Sequence, residues 1–333
     1  MIGGMTLCGG QGGQAWQLRT HNVVDAGLLC AGLVPEQALA LVGRVFSLCR
    51  VAHMAASIQA LNLPAHPTSP PRMRDEILQD HALALLVTLP AQLGMPPQRE
   101  SLAKVLHDRA RSRDVVMELT GSATPIAQMD YAAFEAWLAT GRAAGGAFLP
   151  RLLGRCQQAL VGVGGVVAAS ALTPAGVQAW LEHDPAQRSP RMDFDAGIWP
   201  DYAHYPLMRA LVAAGGVTPF ARLMARVLEF VACLEDRTEA IFARVEPFAA
   251  GLGKGVGVAR AARGMLVHAA QVRGGVVTDY KILSPTFWHV AEGGLFRQVI
   301  SHLHSGCSKV SVDCLLAALN PCVPVTVEEA LHA

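Results

Sequence analysis

The chain has 333 residues, 52% of them hydrophobic and only 16% charged, with a net charge of +1. That length holds one large core or two domains, and the near-neutral balance without a long basic run excludes nucleic acid as a natural partner. Eight cysteines stand at irregular spacing with no CxxC pair, which argues against a disulfide scaffold and for a reducing, cytoplasmic compartment.

The N-terminal MIGGMTLCGG lacks basic residues and a continuous apolar core, so it does not read as a signal peptide. Residues 1–22 read as a glycine-broken β-hairpin. From Asn22 the pattern turns helical, with Leu28, Leu29 and Leu33 before Pro35. A second helix begins near Pro35 and is expected to run through Leu61. Inside it lies GRVFSLCRVAHMAAS, residues 43–57, an apolar run carrying Arg44, Cys49, Arg50 and His53. Cys49 and His53 are four apart, which puts a thiol and an imidazole on one helix face. Taken alone, the pair reads as a buried cysteine beside a hydrogen-bonded histidine.

LPAHPTSPPRM, residues 62–72, is a proline-rich breaker. Helical periodicity resumes from Asp75 to Leu89, and again over 99–118 and 128–142. Cys156–Leu181 is the longest uncharged stretch; its glycines and Pro174 make it a buried turn or strand leading into a helix, not a membrane span. A polar loop over 182–207 precedes an amphipathic helix over about 218–246. Then come GLGKGVGVARAARG, a strand-like QVRGGVVTDYKIL with a Gly-Gly turn, and a helix over 294–305. Gly251, Gly253, Gly255 and Gly257 lack both the Walker lysine and the dinucleotide spacing. They read as glycines that let backbones pack closely. The whole, 1–333, is expected to be a single α+β unit, mainly α.

Several pieces in order carry a resemblance. Arg44, Cys49 and His53 lie on an RxCGxCxxxH pattern, with Phe46 in place of its first cysteine and Ser47 in place of the glycine. GVGVARAARGMLVH (255–268) and GVVTDYKILSPTFWH (275–289) fall in the centre, and Asn320-Pro321-Cys322 stands where DPC would begin a final CxxCxxH. Val325 replaces that motif's second cysteine and Glu328 its histidine. The chain thus resembles the large subunit of nickel-iron hydrogenases across motifs 43–57, 251–289 and 320–325. The fold implied is a reduced large-subunit-like one, with a central helical bundle and small β-hairpins. Asp80-His81 is similar to a DH pair of that family, and an ungapped count puts Gly27 at its proton-relay glutamate.

One cysteine of each pair is gone, and nickel in that family needs four thiolates. Hydrogenase activity is therefore not expected, nor nickel. The pattern resembles hydrogenase accessory proteins of the HupK/HoxV type, which implies a non-catalytic cytoplasmic scaffold. Its implied cargo is iron as Fe(CN)2(CO). Its implied partners are the large-subunit precursor and the maturation proteins that synthesise the iron fragment, with no nucleic acid and no membrane.

The resemblance implies Cys49 as the ligand to iron, with His53 donating to the Cys49 sulfur; Cys322 matches a terminal nickel ligand of that family, and as a second metal ligand here it would have to swing to iron or wait as an exchange ligand. Arg263 and Thr286 are implied as donors to cyanide, and Ala262, Leu283 and Pro285 as an apolar wall for carbon monoxide. Plain alternatives stand beside these: a salt-bridged Arg263, and Thr286 as a helix cap or turn. Two other functions also stand: a metal-free interaction protein that mimics the large subunit, and a diverged redox enzyme with a thiolate-iron centre.

Overall fold

The computed structural model describes residues 2–9, 16–64, 70–107, 112–143, 145–163, 169–182, 194–242, 254–304 and 306–328. Strands β1 (Ile2–Cys8) and β2 (Gln17–Val24) pair antiparallel, as the hairpin reading expected. The strand runs on to Val24, so no helix starts at Asn22; a single 3-10 turn, Leu28–Cys30, follows. The helix expected from Pro35 to Leu61 is two helices, α1 (Pro35–Val45) and α2 (Arg50–Ala60). Phe46 leaves the helical region at φ −101°, ψ 100°. Its ring then lies flat on His53, with centroids 3.8 Å apart.

Helix α3 (Pro70–Leu83) starts five residues before the expected Asp75, on two prolines that suit a first helical turn. A π-helical turn, Ala84–Thr88, joins it to α4 (Leu89–Gln92). Then come α5 (Arg99–His107), α6 (Ser112–Thr120), α7 (Tyr131–Thr140) and α8 (Phe148–Ala159). Cys156 belongs to α8, so the uncharged stretch begins inside a helix. It continues through β3 (Ser170–Ala171) into α9 (Pro174–Glu182). The 182–207 loop is not all loop: β4 (Phe194–Asp195) pairs parallel with β3, and α10 (Trp199–Tyr202) and the start of α11 (Pro206–Gly215) lie within it. Its residues 183–193, like Gly251 and Gly253, fall outside the described residues.

Helix α12 (Pro219–Leu234) is buried along its entire length, so its charged positions face inward rather than toward solvent. A short α13 (Glu239–Phe242) follows. Strands β5 (Gly255–Ala261), β6 (Gly264–Arg273) and β7 (Val276–Leu283) form an antiparallel meander, turning at Gly274 and Gly275, both at positive φ. Helices α14 (Pro285–Val290), α15 (Leu295–Ser301) and α16 (Lys309–Leu319) lead to β8 (Val325–Glu328). Sequence periodicity missed both α16 and β8. β8 pairs parallel with β1, from Met5↔Val325 to Cys8↔Glu328, and so joins the two ends of the described chain.

The largest core cluster surrounds α12. The meander is packed on both faces: Ala259 and Ala261 meet Ala52, Ala55, Ala56 and Ala60 of α2, while Val256 and Val258 meet Val177 and Trp288. Strand alternation explains this division. On the α2 side Gly255 and Gly257 are required to be small. A Cβ at Gly257 would lie 1.9 Å from the Ala56 carbonyl oxygen, and one at Gly255 would lie 2.2 Å from that of Ala60. The described residues are mainly α with small sheets, as the α+β reading expected. No helix among the described residues is long and apolar enough to cross a membrane.

Candidate functional site

Cys49 N-caps α2, but no side chain of its own segment caps that helix. The first N–H groups of a helix need acceptors, and the helix dipole favours a carboxylate there. Glu76 of α3 fills both needs, accepting from Val51 N at 2.7 Å and Ala52 N at 3.2 Å. Cys49 is thereby held where α2 meets α3. Burial pushes its thiol up to about 12, against the pull of the Arg263 guanidinium.

Arg263 lies in the tight turn between β5 and β6. Gly264 makes that turn possible: its φ is +126°, and a Cβ there would lie 1.9 Å from the Ala196 carbonyl oxygen. From this corner Arg263 uses all three of its nitrogens. Nη1 donates to Cys49 Sγ at 3.1 Å, Nε to the Pro321 carbonyl at 3.3 Å, and Nη2 pairs with Asp80 at 2.9 Å. The salt-bridged reading of Arg263 is met by Asp80, and the same side chain also reaches the Cys49 sulfur.

The C-terminal segment is placed by its own sequence. Asn320 ends α16 in the left-handed region, φ 46°, ψ 60°, which asparagine tolerates, and Pro321 prevents the helix from continuing. Asn320 Nδ2 donates to the Ala262 carbonyl at 3.2 Å. Cys322 N donates to Thr286 Oγ1 at 2.9 Å, and Cys322 Sγ lies 3.9 Å from Ser284 Oγ. Ser284 caps α14 through Phe287 N, and Pro285 and Thr286 form that helix's first turn. Thr286 is thus a first-turn residue whose hydroxyl holds the Cys322 backbone.

Cys49, His53, Ser284 and Cys322 line one cavity of about 180 Å³. Its apolar wall comes from Val45, Phe46, Leu48, Val323 and Pro324. Ala262, Leu283 and Pro285, the expected apolar wall, are buried but do not line the cavity. Val325, at the position of the family's second cysteine, is in β8 opposite Met5.

His53 does not play its expected part. The donor to Cys49 is Arg263, while His53 Nδ1 turns into the core to His268 Nε2 at 3.0 Å. His268 Nδ1 meets Tyr280 Oη at 2.8 Å, and Tyr280 donates to Ser57 Oγ at 2.8 Å. Burial depresses both imidazoles, His268 to about 3 and His53 well below the ordinary value. Gly27 sits under β7, where a Cβ would lie 2.1 Å from the Tyr280 carbonyl oxygen. A glutamate cannot occupy that position without moving the strand.

Behind Arg263 a buried ionic network runs across α12. Asp80 also binds Arg226 at 3.0 Å, and Arg226 Nε donates to His81 Nδ1 at 3.1 Å. His81 Nε2 meets Glu229 at 2.7 Å, and Arg260 joins Glu229 at 2.6 Å to Asp201 at 3.0 Å. Arg222, Arg226 and Glu229 share one face of α12, at i, i+4 and i+7. Burial pushes Glu229 up to about 7, against Arg260 and Arg226. Sequence reasoning gave no role to Glu76, Ser284, His268 or Glu229. No spacing rule links them to Cys49, since each acts on a segment remote in sequence.

Among the described residues no three His, Cys, Asp or Glu side chains converge closely enough to hold a metal ion by themselves. Four-thiolate nickel does not fit two cysteines. A metal that arrives with ligands of its own asks less of the protein.

No family profile matches the chain. It is 29% identical over 96% of its length, and 95% of the relative's, to the hydrogenase expression/formation protein HupK of Rhodobacter capsulatus. It is 33% identical over 23% of its length, and 22% of the relative's, to the hydrogenase expression/formation protein HoxV of Cupriavidus necator. Its fold matches a Ni-Fe-Se hydrogenase from D. vulgaris Hildenborough in the reduced state, with a TM-score of 0.58 at 15% identity over 94% of each chain.

Proposed function

We propose that the chain, similar to the HupK and HoxV hydrogenase expression/formation proteins and built on the nickel-iron hydrogenase large-subunit fold, serves hydrogenase maturation as a non-catalytic scaffold. Its cargo is an Fe(CN)2(CO) fragment, carried toward the large-subunit precursor after delivery by the proteins that synthesise it. The observation that carries this reading is the cavity shared by Cys49 and Cys322, beside which Arg263 joins the Cys49 sulfur to the Pro321 carbonyl.

The chemistry of the residues suits such a cargo. Low-spin iron favours sulfur over the oxygen donors nearby. Two thiols, not four, leave a hold that can be released. Cys49 is a thiol before loading, because burial keeps its proton on; binding iron displaces that proton. Arg263 then faces a thiolate and offsets its charge. The Thr286 hydroxyl accepts from Cys322 N and keeps its own proton for a cyanide nitrogen. An unpartnered cyanide in so buried a place would be costly.

The test is infrared spectroscopy of protein purified anaerobically from its native host. Bands of bound carbon monoxide and cyanide are expected. Cys49→Ser abolishes them, Cys322→Ser weakens or shifts them, and Cys233→Ser, inside α12, leaves them unchanged. Bands that persist unaltered in Cys49→Ser overturn the assignment. A protein without bands that still binds the large-subunit precursor is the metal-free mimic instead. Stoichiometric nickel with hydrogen-dependent dye reduction rejects the scaffold altogether.

A further inference from the structure

The protonation of His53 is dictated from behind the cavity wall. Tyr280 has one hydroxyl proton and gives it to Ser57 Oγ at 2.8 Å. Its 2.8 Å contact with His268 Nδ1 therefore needs the proton on the imidazole nitrogen. A neutral imidazole carries one N–H, so His268 Nε2 is bare. That nitrogen accepts, at 3.0 Å, from His53 Nδ1. His53 then has its own proton on Nδ1 and a lone pair on Nε2.

Neutrality of both rings follows from their surroundings. His53 and His268 are 7% and 0% exposed. Their hydrogen-bond partners are each other and a phenol, with no carboxylate among them. Phe46 fixes the plane of the His53 ring, 9° from its own. His53 lines the cavity that holds Cys49 and Cys322. With Nδ1 turned into the core, Nε2 is the nitrogen left for that space.

We infer that His53 presents an unprotonated Nε2 to the cavity and donates its lone pair to the seated cargo, at the coordination position that two thiolates and three diatomic ligands leave open on six-coordinate iron. This rests on the scaffold reading above. The lone pair meets either the iron itself or a proton of a water bound there. No preformed trio of ligands is needed, since the contact forms only when the cargo is seated. The role is the reverse of a donor to the Cys49 sulfur, which Arg263 already supplies.

The tautomer is tested without iron. Nitrogen-15 NMR of the full chain labelled at histidine should show His53 and His268 both protonated at Nδ1 and bare at Nε2. Tyr280→Phe removes the end of the chain and should give mixed tautomers at both rings. A wild-type His53 protonated at Nε2 overturns the inference.

The ligand role is tested on cargo-loaded protein from the native host. His53→Asn keeps an amide to face His268 but has no nitrogen at the Nε2 position. It should shift the carbon monoxide and cyanide bands while the thiolates still hold iron. Unchanged frequencies overturn the role. Should that variant not fold, Tyr280→Phe is expected to shift the same bands by loosening the tautomer, and unchanged bands there overturn it equally. Wild-type bands that move in D2O identify the bound-water contact, and bands that do not move identify direct ligation. A wild-type protein with no bands removes the cargo and the ligand role with it, while the NMR result stands or falls separately.

Discussion

Arg263 ties a thiol, a backbone carbonyl and a carboxylate from three separate segments. A planar guanidinium can aim donors at all three, and a lysine ammonium on its flexible stem cannot. Arg263→Lys should therefore leave the helices intact by circular dichroism. On the proposed function it should release the iron cargo faster, because a charge-assisted hydrogen bond is worth about 1.5–3 kcal/mol. Infrared bands retained at the wild-type level after gel filtration would make Arg263 purely structural. The convergence of the Cys49, Arg263 and Cys322 segments was legible in the sequence through the order of their motifs. His53 was legible as a residue of the site but not in its role, because its partners, His268 and Tyr280, lie in strands far along the chain. Glu76 was not legible at all: a carboxylate capping a helix from another helix leaves no local pattern.

Helix α2 rests on β5 mainly through alanine and glycine, with Gln59 accepting from Val258 N, and this is what the glycine-rich GVGVARA is for. Gly257→Ala places a Cβ against the Ala56 carbonyl. Overpacking of this kind typically costs about 1–3 kcal/mol. The variant should melt at a lower temperature, and its Cys49 should react faster with a thiol reagent, since α2 carries Cys49 at its head. Equal melting and equal thiol reactivity would show that the contact yields freely. At this scale the hairpins, α5 to α7, α9 and the close-packing glycines were readable from periodicity and composition, while α8 was not. The break at Phe46–Cys49 was not, because the apolar pattern runs through it undisturbed. The break is set by a ring stacked on His53 and by Glu76 waiting at the start of α2. β8 was missed because four residues carry too little alternation to be recognised.

Across the whole molecule, three buried histidines, His53, His81 and His268, are held neutral, and this governs stability toward acid. His268 has its folded pKa lowered to about 3 from 6.5. Such a group contributes stability that is present above 6.5 and is lost as pH falls toward 3, because the unfolded chain binds the proton first. His53 and His81 act in the same direction. Glu229, raised to about 7, opposes them: its contribution is fully present below its unfolded value and is lost as pH rises through 7. Three against one, urea unfolding should show stability falling from pH 6.5 to 5. His268→Gln should flatten that fall by up to about 1.4 kcal/mol per pH unit, the value of one proton. An unchanged slope would mean that His268 is not buried as a neutral ring. The parallel pairing of β1 with β8 carries a different consequence, one of timing. During translation Cys49 leaves the ribosome early, with α2 able to form behind it, while Cys322 and β8 are still to be synthesised. Until they emerge, β1 has no partner on that edge, Arg263 has no Pro321 carbonyl to hold, and the cavity has one wall. On the proposed function, loading waits for Cys322 and β8, because a nascent chain stalled before them offers the cargo only one side of the cavity.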